Sequence, residues 1–365
     1  MSWPAGTKGI NVIDDWITDA CQLPSRSHSA AAEARQTSLT KPPGSLGALE
    51  RLAVQLAALQ KTEMPSATTA PILLFAGDHG VTAQGISAFP AAVTVQMLHN
   101  FANGGAAISV LARELGCPLH VIDAGTLAAD DVPGVVTDKP RRGTRDFSSE
   151  PAMTQEEMAF ALSAGRRATT LAIKNGSDLI ILGEMGIGNT TSAAAIAAAL
   201  LDRQSSDLAG AGAGLDKSGV AHKSKVITAA LDKYQLTPSG TKPLDVLRCV
   251  GGLEIAALVG AILASSQTGI PVLIDGFIVS VAALIAVRTN STCRPWLLFS
   301  HRSAEPGHRI VLDKLDADPI LDLGLRLGEG SGATLALPIL RLACALHSQM
   351  ATFDQARVDG REPCR

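Results

Sequence analysis

Five short runs of residues along the chain stay apolar without alternating: Pro71–Ala76, Leu119–Ile122, Asp178–Leu182, Pro271–Ile274 and Pro295–Phe299. A strand with one wet face alternates polar and apolar positions, whereas an unbroken apolar run belongs to a strand covered on both faces, as in a parallel sheet. Helical patterns lie between the runs, at Val93–Leu115, Thr154–Lys174, His222–Leu231 and Gly252–Ala264. The strand–helix order predicts an α/β fold, doubly wound around a mostly parallel sheet. Thr154 and Glu157 have the spacing of a capping box at the start of one of these helices.

The two ends of the chain carry a different pattern. Leu46, Leu49, Ala53 and Leu56 form a helical stripe after the turn Lys41-Pro42-Pro43-Gly44, with Ser45 placed to act as its N-cap. Leu335, Ile339, Leu342, Ala343 and Leu346 form another, with a kink expected at Pro338. The expectation is a smaller helical lobe built from terminal segments, dividing the chain into 1–65, an α/β domain over 66–333 that binds the ligands, and 334–365. Lys139–Glu150 reads as a polar surface excursion, and the tail beyond Met350 as frayed.

Each apolar run ends in glycine and polar residues: Gly77-Asp78-His79-Gly80, Asp123-Ala124-Gly125, Gly183-Glu184, Asp275-Gly276 and Ser300-His301. In an open parallel sheet the ligand crevice lies outside the carboxyl ends of the strands, so these clusters are expected to converge. Taken singly, each is also ordinary turn chemistry.

Composition narrows the partners. Among 365 residues, 46% are hydrophobic and 18% charged, the net charge is -3, and aromatic residues make up 3%. Such a chain folds around a large core, has no basic bias toward nucleic acid and lacks a stacking platform for single strands. Small molecules are the expected partners. The six cysteines, Cys21, Cys117, Cys249, Cys293, Cys344 and Cys364, show no close pairing for zinc or dithiol chemistry and read as reduced; no metal and no cofactor is expected. Asp14 and Asp15 stand where a signal peptide needs an apolar core, and the greasiest stretches, Ile255–Ala264 and Val272–Val287, are short or interrupted by Asp275-Gly276. The expectation is a cytoplasmic protein without a membrane span.

Two glycine clusters carry the candidate chemistry. The run Leu179–Leu182 feeds Gly183-Glu184-Met185-Gly186-Ile187-Gly188-Asn189-Thr190-Thr191-Ser192 and then an alanine-rich helix, either a phosphate-binding turn or a tight strand-to-helix turn capped by a threonine. Gly328-Glu329-Gly330-Ser331-Gly332-Ala333 opens a second helix and offers Glu329 as a general base, to be made more basic by burial against Leu323, Leu325 and Leu327. Alternatively, Glu329 merely complements a helix dipole. Gly210-Ala211-Gly212-Ala213-Gly214-Leu215-Asp216-Lys217-Ser218 fails as a nucleotide loop because Asp216 stands where glycine must precede the lysine, and a flexible loop is the stronger reading. Lys223 offers a point charge to phosphate or sits on the surface. Asp78 with His79 is either an acid/base pair or a turn, and Ser303 with Glu305 either contacts a ligand or lies in a solvated loop.

Taken together, Lys41-Pro42-Pro43-Gly44-Ser45-Leu46-Gly47, Phe75-Ala76-Gly77-Asp78-His79-Gly80-Val81, the Gly183–Thr191 segment and Arg326-Leu327-Gly328-Glu329-Gly330-Ser331-Gly332-Ala333 resemble the nicotinate-nucleotide:dimethylbenzimidazole phosphoribosyltransferase family. Arg142–Phe147 and Glu150–Thr154 add a further block, and the resemblance runs in order over nearly the whole chain. It implies transfer of the phosphoribosyl group of nicotinate mononucleotide to dimethylbenzimidazole in the cobalamin lower-ligand pathway, giving α-ribazole phosphate and nicotinate. It also implies a homodimer. By similarity, Glu329 is the base, Glu184, Gly186, Lys223, Ser303 and Leu327 contact the nicotinate nucleotide, and Ser87 and Gln96 lie near the base pocket. Alternatives are transfer to another acceptor, such as adenine or a phenol, and a non-catalytic carrier that binds both ligands without turnover.

Overall fold

The computed structural model describes residues 15–237 and 240–359. Asp14, Cys364 and the last residues of the tail lie outside the described residues, and so does the side chain of Asp15. Six strands form one parallel sheet: β1 (Ile72–Gly77), β2 (Leu119–Gly125), β3 (Val136–Thr137), β4 (Ile180–Met185), β5 (Val272–Ile274) and β6 (Leu297–Phe299). The five apolar runs are β1, β2, β4, β5 and β6, and β1 and β5 are buried at every position. The two-residue β3 was not legible as an apolar run.

The spatial order is β3-β2-β1-β4-β5-β6. From β1 the chain moves outward to β2 and β3, then returns to place β4 on the other side of β1 and continues to β5 and β6. The strand order therefore reverses between β1 and β4, where Phe75 lies opposite Glu184 and Ala76 opposite Met185. Helices diverge from such a switch point and leave a crevice at the carboxyl ends of the two strands.

Before the sheet come α1 (Arg26–Ser38) and α2 (Ala48–Gln60); between β1 and β2 come α3 (Ala92–Ala102) and α4 (Ala107–Glu114). One helix was expected over Val93–Leu115, but Asn103, Gly104 and Gly105 break it and start α4 afresh, with consequences for the site. The long α5 (Gln155–Lys174) precedes β4 and begins with the expected capping box of Thr154 and Glu157. Then follow α6 (Asn189–Leu201), α7 (Ser205–Leu208), α8 (Lys217–Lys233), α9 (Pro243–Val250) and α10 (Leu253–Thr268). Next, α11 (Phe277–Thr289) leads to β6, and α12 (Pro306–Lys314), α13 (Ser331–Gln349) and α14 (Phe353–Ala356) close the chain. The greasy stretches are α10 and the β5–α11 unit, both buried in the core. No helix among the described residues is long and apolar enough to cross a membrane.

The terminal helices pack together: α2 lies against α1 and α13. The Arg35 guanidinium donates to the carbonyls of His347 and Ser348, and the Gln36 amide meets His347 Nδ1 at 2.8 Å. Ser45 is not the cap of α2; Gly47 precedes the helix, and Glu50 reaches back to the Leu46 N–H and to Lys41 instead. α13 runs as one helix through Pro338. The Lys139–Glu150 excursion is anchored rather than loose. Phe147 is fully buried and Arg145 pairs with Glu157 at 2.6 Å. The described part of the tail is likewise held, by a bridge from Leu39 to Thr352 and a capping box on α14.

Candidate active site

The two glycine clusters, far apart in the sequence, meet at the carboxyl end of β4. The Glu329 N–H donates to the Glu184 carbonyl at 3.1 Å, so the loop before α13 lies flat along the end of the strand. This approach requires glycine: a Cβ on Gly183 would stand 2.5 Å from the Glu329 carbonyl oxygen. A Cβ on Gly328 would stand 2.4 Å from a Glu184 carboxyl oxygen, and its φ of +86° also favours glycine. Around this junction opens a cleft of about 350 Å³.

Glu329 sits on the cleft wall, only 5% exposed. Of the three leucines expected to bury it, Leu323 and Leu327 are 61% and 59% exposed and Leu325 is only half-buried. Burial comes instead from α4 and the end of β4. Glu329 Oε2 accepts the Ile108 N–H at 3.2 Å, at the start of α4. Burial raises the Glu329 pKa, the Ile108 N–H opposes that shift, and the charge of Asp275 adds to it. A carboxylate with one oxygen fixed and an increased proton affinity has the properties of a general base.

Glu184 faces the same cleft and accepts the Asn189 side-chain amide. Burial, followed by the charges of Asp275 and Glu254, pushes its pKa up to about 8. It therefore holds a proton at neutral pH and can donate a hydrogen bond. Gly186 to Thr190 continue along the wall into α6, with the Ile187 N–H donating to Thr94 Oγ1 at 3.1 Å.

Lys223, reaching in from α8, is 1% exposed. Its Nζ donates to Thr190 Oγ1 at 2.9 Å and to the Gly210 carbonyl at 3.2 Å. Burial lowers its pKa to about 8, partly offset by the Glu305 carboxylate. The glycine-rich stretch after α7 is no idle loop, because Ala211, Gly212 and Ala213 line the cleft beside this lysine. Gly212 has a φ of +51°, and a Cβ there would stand 2.8 Å from Thr190 Oγ1 and 3.4 Å from Lys223 Nζ. Lys217 and Ser218, the tempting end of that motif, instead start α8, capped by Asp216.

The cleft also takes in Ser303, 8% exposed, and Leu327 at its mouth. Ser87 lines it as well, with its hydroxyl accepting the Phe89 N–H at 3.2 Å. Gln96 is exposed on α3 and does not line the cleft; its neighbours Val93 and Met97 do. With Ile86, Phe89 and Met185 these two form an apolar wall suited to a flat aromatic ring. Their i, i+4 spacing on α3 was the available signal, though it looks the same as core packing.

Asp78 and His79 do not pair with each other. The Asp78 carboxylate accepts the Leu127 N–H at 2.8 Å, and the buried His79 ring bridges Glu254 at 2.7 Å and Ser192 at 2.9 Å. Both stand behind the cleft wall and outside its lining. Asp275, read from the sequence only as a polar residue after a strand, lies beneath the Glu329 loop and accepts two of its neighbours' N–H groups. Five cysteines, Cys21, Cys117, Cys249, Cys293 and Cys344, are free and buried.

Comparison with known proteins agrees with this geometry. A family model described as "DBI_PRT: Phosphoribosyltransferase" matches residues 21–358. A nicotinate-nucleotide–dimethylbenzimidazole phosphoribosyltransferase of Bradyrhizobium sp. (strain ORS 278) is 62% identical over 351 residues, covering 96% of this chain and 100% of the relative. One of the same description from Pseudomonas putida (strain KT2440) is 56% identical, covering 95% and 98%. The crystal structure of CobT from Thermus thermophilus superposes with a TM-score of 0.87 at 44% identity, covering 91% of this chain and 99% of that one. A cleft lined by Glu184, Glu305, Glu329 and one buried lysine at the switch point of a parallel sheet, within a chain matched over 91% to 96% of its length by these relatives, places the protein in the nicotinate-nucleotide–dimethylbenzimidazole phosphoribosyltransferase family.

Proposed function

We propose that the protein transfers the phosphoribosyl group of nicotinate mononucleotide to dimethylbenzimidazole, releasing nicotinate and forming α-ribazole phosphate. The observation that carries this reading is that Glu329 and Lys223 open on one cleft with an apolar wall between the strand ends and α3. In it, the 5′-phosphate lies at the Lys223, Thr190 and Gly212 corner, where a buried ammonium and a backbone without side chains admit an anion closely. Gly186, Ser303 and Leu327 complete the nucleotide contacts. The benzimidazole lies on the wall formed by Val93, Met97 and Ile86, with Ser87 at its edge.

The chemistry needs one base. Nicotinate joined to ribose is a pyridinium, so its ring nitrogen takes the bonding pair as the C1′–N bond breaks and leaves as a neutral ring. The unprotonated benzimidazole nitrogen attacks C1′ from the opposite face and forms the new bond, which inverts the β-nucleotide to the α-product. The N–H proton of the resulting benzimidazolium passes to the open oxygen of Glu329. Glu184, holding its proton, is a hydrogen-bond donor beside the reacting ribose and adds no second negative charge there. Holding both partners in line supplies much of the rate.

A homodimer in the cytoplasm, with 1–65 and 334–365 forming one lobe, completes this reading. The free buried cysteines suit a reducing compartment. Purified protein incubated with nicotinate mononucleotide and dimethylbenzimidazole, with nicotinate and α-ribazole phosphate followed by chromatography, tests the reaction; light scattering tests the dimer. Binding of both ligands without nicotinate release would favour the carrier. Turnover with adenine or a phenol but not the benzimidazole would change the acceptor.

A further inference from the structure

The loop that presents Glu329 is unusual backbone. Gly328, Glu329 and Gly330 have φ values of 86°, 62° and 81°, three consecutive left-handed residues of which the central one carries a side chain. For a non-glycine residue that conformation is strained and persists only where its surroundings hold it. Around Glu329 the holding bonds are few. Its N–H reaches the Glu184 carbonyl at 3.1 Å, and the Ser331 N–H and hydroxyl return to the Gly328 carbonyl at 2.9 and 2.6 Å.

The Gly330 carbonyl accepts the Thr334 N–H and hydroxyl, and two further bonds come from one buried acid. Asp275, 1% exposed at the carboxyl end of β5, accepts the Gly330 N–H at 3.1 Å through Oδ2 and the Ala333 N–H at 2.8 Å through Oδ1. Both oxygens thus grip the residue after Glu329 and the first turn of α13, where a negative charge is favoured by the helix dipole. The ionisable groups facing Asp275 are His301, from the loop after β6, whose Nδ1 lies 3.7 Å from Oδ1, Glu184 at the end of β4, and Glu329 itself; Glu254 on α10 acts on Glu184 from behind.

We propose that Asp275 is the positioning residue of the catalytic base: its two backbone hydrogen bonds lock the left-handed loop so that the Glu329 carboxylate meets the acceptor. The charge of Asp275 also raises the proton affinity of that carboxylate. This rests on the reading of Glu329 as the base. Asparagine is nearly isosteric but offers one acceptor and a neutral amide whose N–H₂ would confront a backbone N–H. It therefore cuts the grip from two bonds to one and removes the charge. Glutamate keeps the charge and displaces it by a methylene.

The test is the pH dependence of kcat, with both substrates saturating, for wild type, Asp275→Asn, Asp275→Glu and Glu329→Gln. The expected result for Asp275→Asn is a kcat lower by roughly a hundredfold with KM for the nucleotide unchanged, and an acid limb displaced to lower pH. Asp275→Glu should lose kcat with its acid limb in place. A folded Asp275→Asn enzyme with wild-type kcat, or one whose acid limb does not move, overturns the proposal. If Asp275→Asn does not fold, a wild-type kcat in Asp275→Glu overturns it instead. Failure of the underlying reading looks different: wild type releases no nicotinate, or Glu329→Gln turns over as wild type does.

Discussion

The Glu329 carboxylate is tied to the Ile108 backbone N–H, 221 residues away in sequence, by a 3.2 Å bond at the first turn of α4. That turn exists because Asn103, Gly104 and Gly105 interrupt what the apolar pattern reads as a single helix. The break creates a new helix N-terminus, and its exposed N–H groups fix one oxygen of the carboxylate while the group as a whole borders the cleft. A carboxylate held in this way loses little orientational freedom when a ligand binds.

Replacing that carboxylate should remove proton transfer while sparing the fold. Glu329→Gln keeps the acceptor for the Ile108 N–H, so its melting temperature should stay near wild type. Its kcat should drop by about 10²–10⁴, measured by nicotinate release under saturating substrates. A drop confined to KM would count against a role in the chemical step.

Lys223 should govern nucleotide affinity and its upper pH limit. Losing a charge-assisted hydrogen bond to phosphate costs about 1.5–3 kcal/mol, so Lys223→Met should raise KM for nicotinate mononucleotide by roughly tenfold to a hundredfold. In wild type the ammonium is charged below its pKa of about 8 and neutral above it. Hence kcat/KM for the nucleotide should fall as pH rises through 8, and that limb should vanish in the methionine variant.

Gly183→Ala tests the junction of the two glycine clusters. The added methyl would stand 2.5 Å from the Glu329 carbonyl oxygen and 2.6 Å from the Gly330 nitrogen, both backbone atoms with no rotamer by which to yield. We expect a loss of about 1–3 kcal/mol in stability, seen in denaturant melts, together with a loss of turnover larger than the loss of fold.

Glu184 should make stability fall on the alkaline side. Its folded-state pKa of about 8 lies above the ordinary carboxyl value of 4.5, so the folded state binds the proton more tightly than the unfolded one. The stabilisation is complete below 4.5 and is lost as pH rises through 8. Glu184→Gln mimics the protonated form and can still accept the Asn189 amide. It should melt about 2 °C or more above wild type at pH 9, with the difference shrinking toward pH 5. Thermal melts at the two pH values decide it.

The strands were legible because burial on both faces writes itself into four or more consecutive residues, as in β1 and β4. Helix starts were legible where a cap is local, as with Thr154 and Glu157. The Lys139–Glu150 excursion misled because polar side chains such as Arg145 hide a neighbour, Phe147, that is fully buried. The Gly210–Ser218 segment misled because its partner, Lys223, closes over it only through the turn into α8.

The sequence by itself determined the class of fold, the positions of five of the six strands, the glycine clusters and Glu329 as a candidate base, since each is a matter of residue type and short spacing. Only the tertiary structure decided that Glu184 and Glu329 share one junction, that Lys223 is buried beside Gly212, that Glu329 is shielded by α4 rather than by Leu323 and Leu327, and that Asp275 grips the loop from below. Electrostatics explains the division. A pKa depends on which charges and dipoles lie within a few ångströms in a low-dielectric interior, and in a parallel sheet those neighbours come from strands far apart in the chain, brought to one edge by the order in which they are laid down.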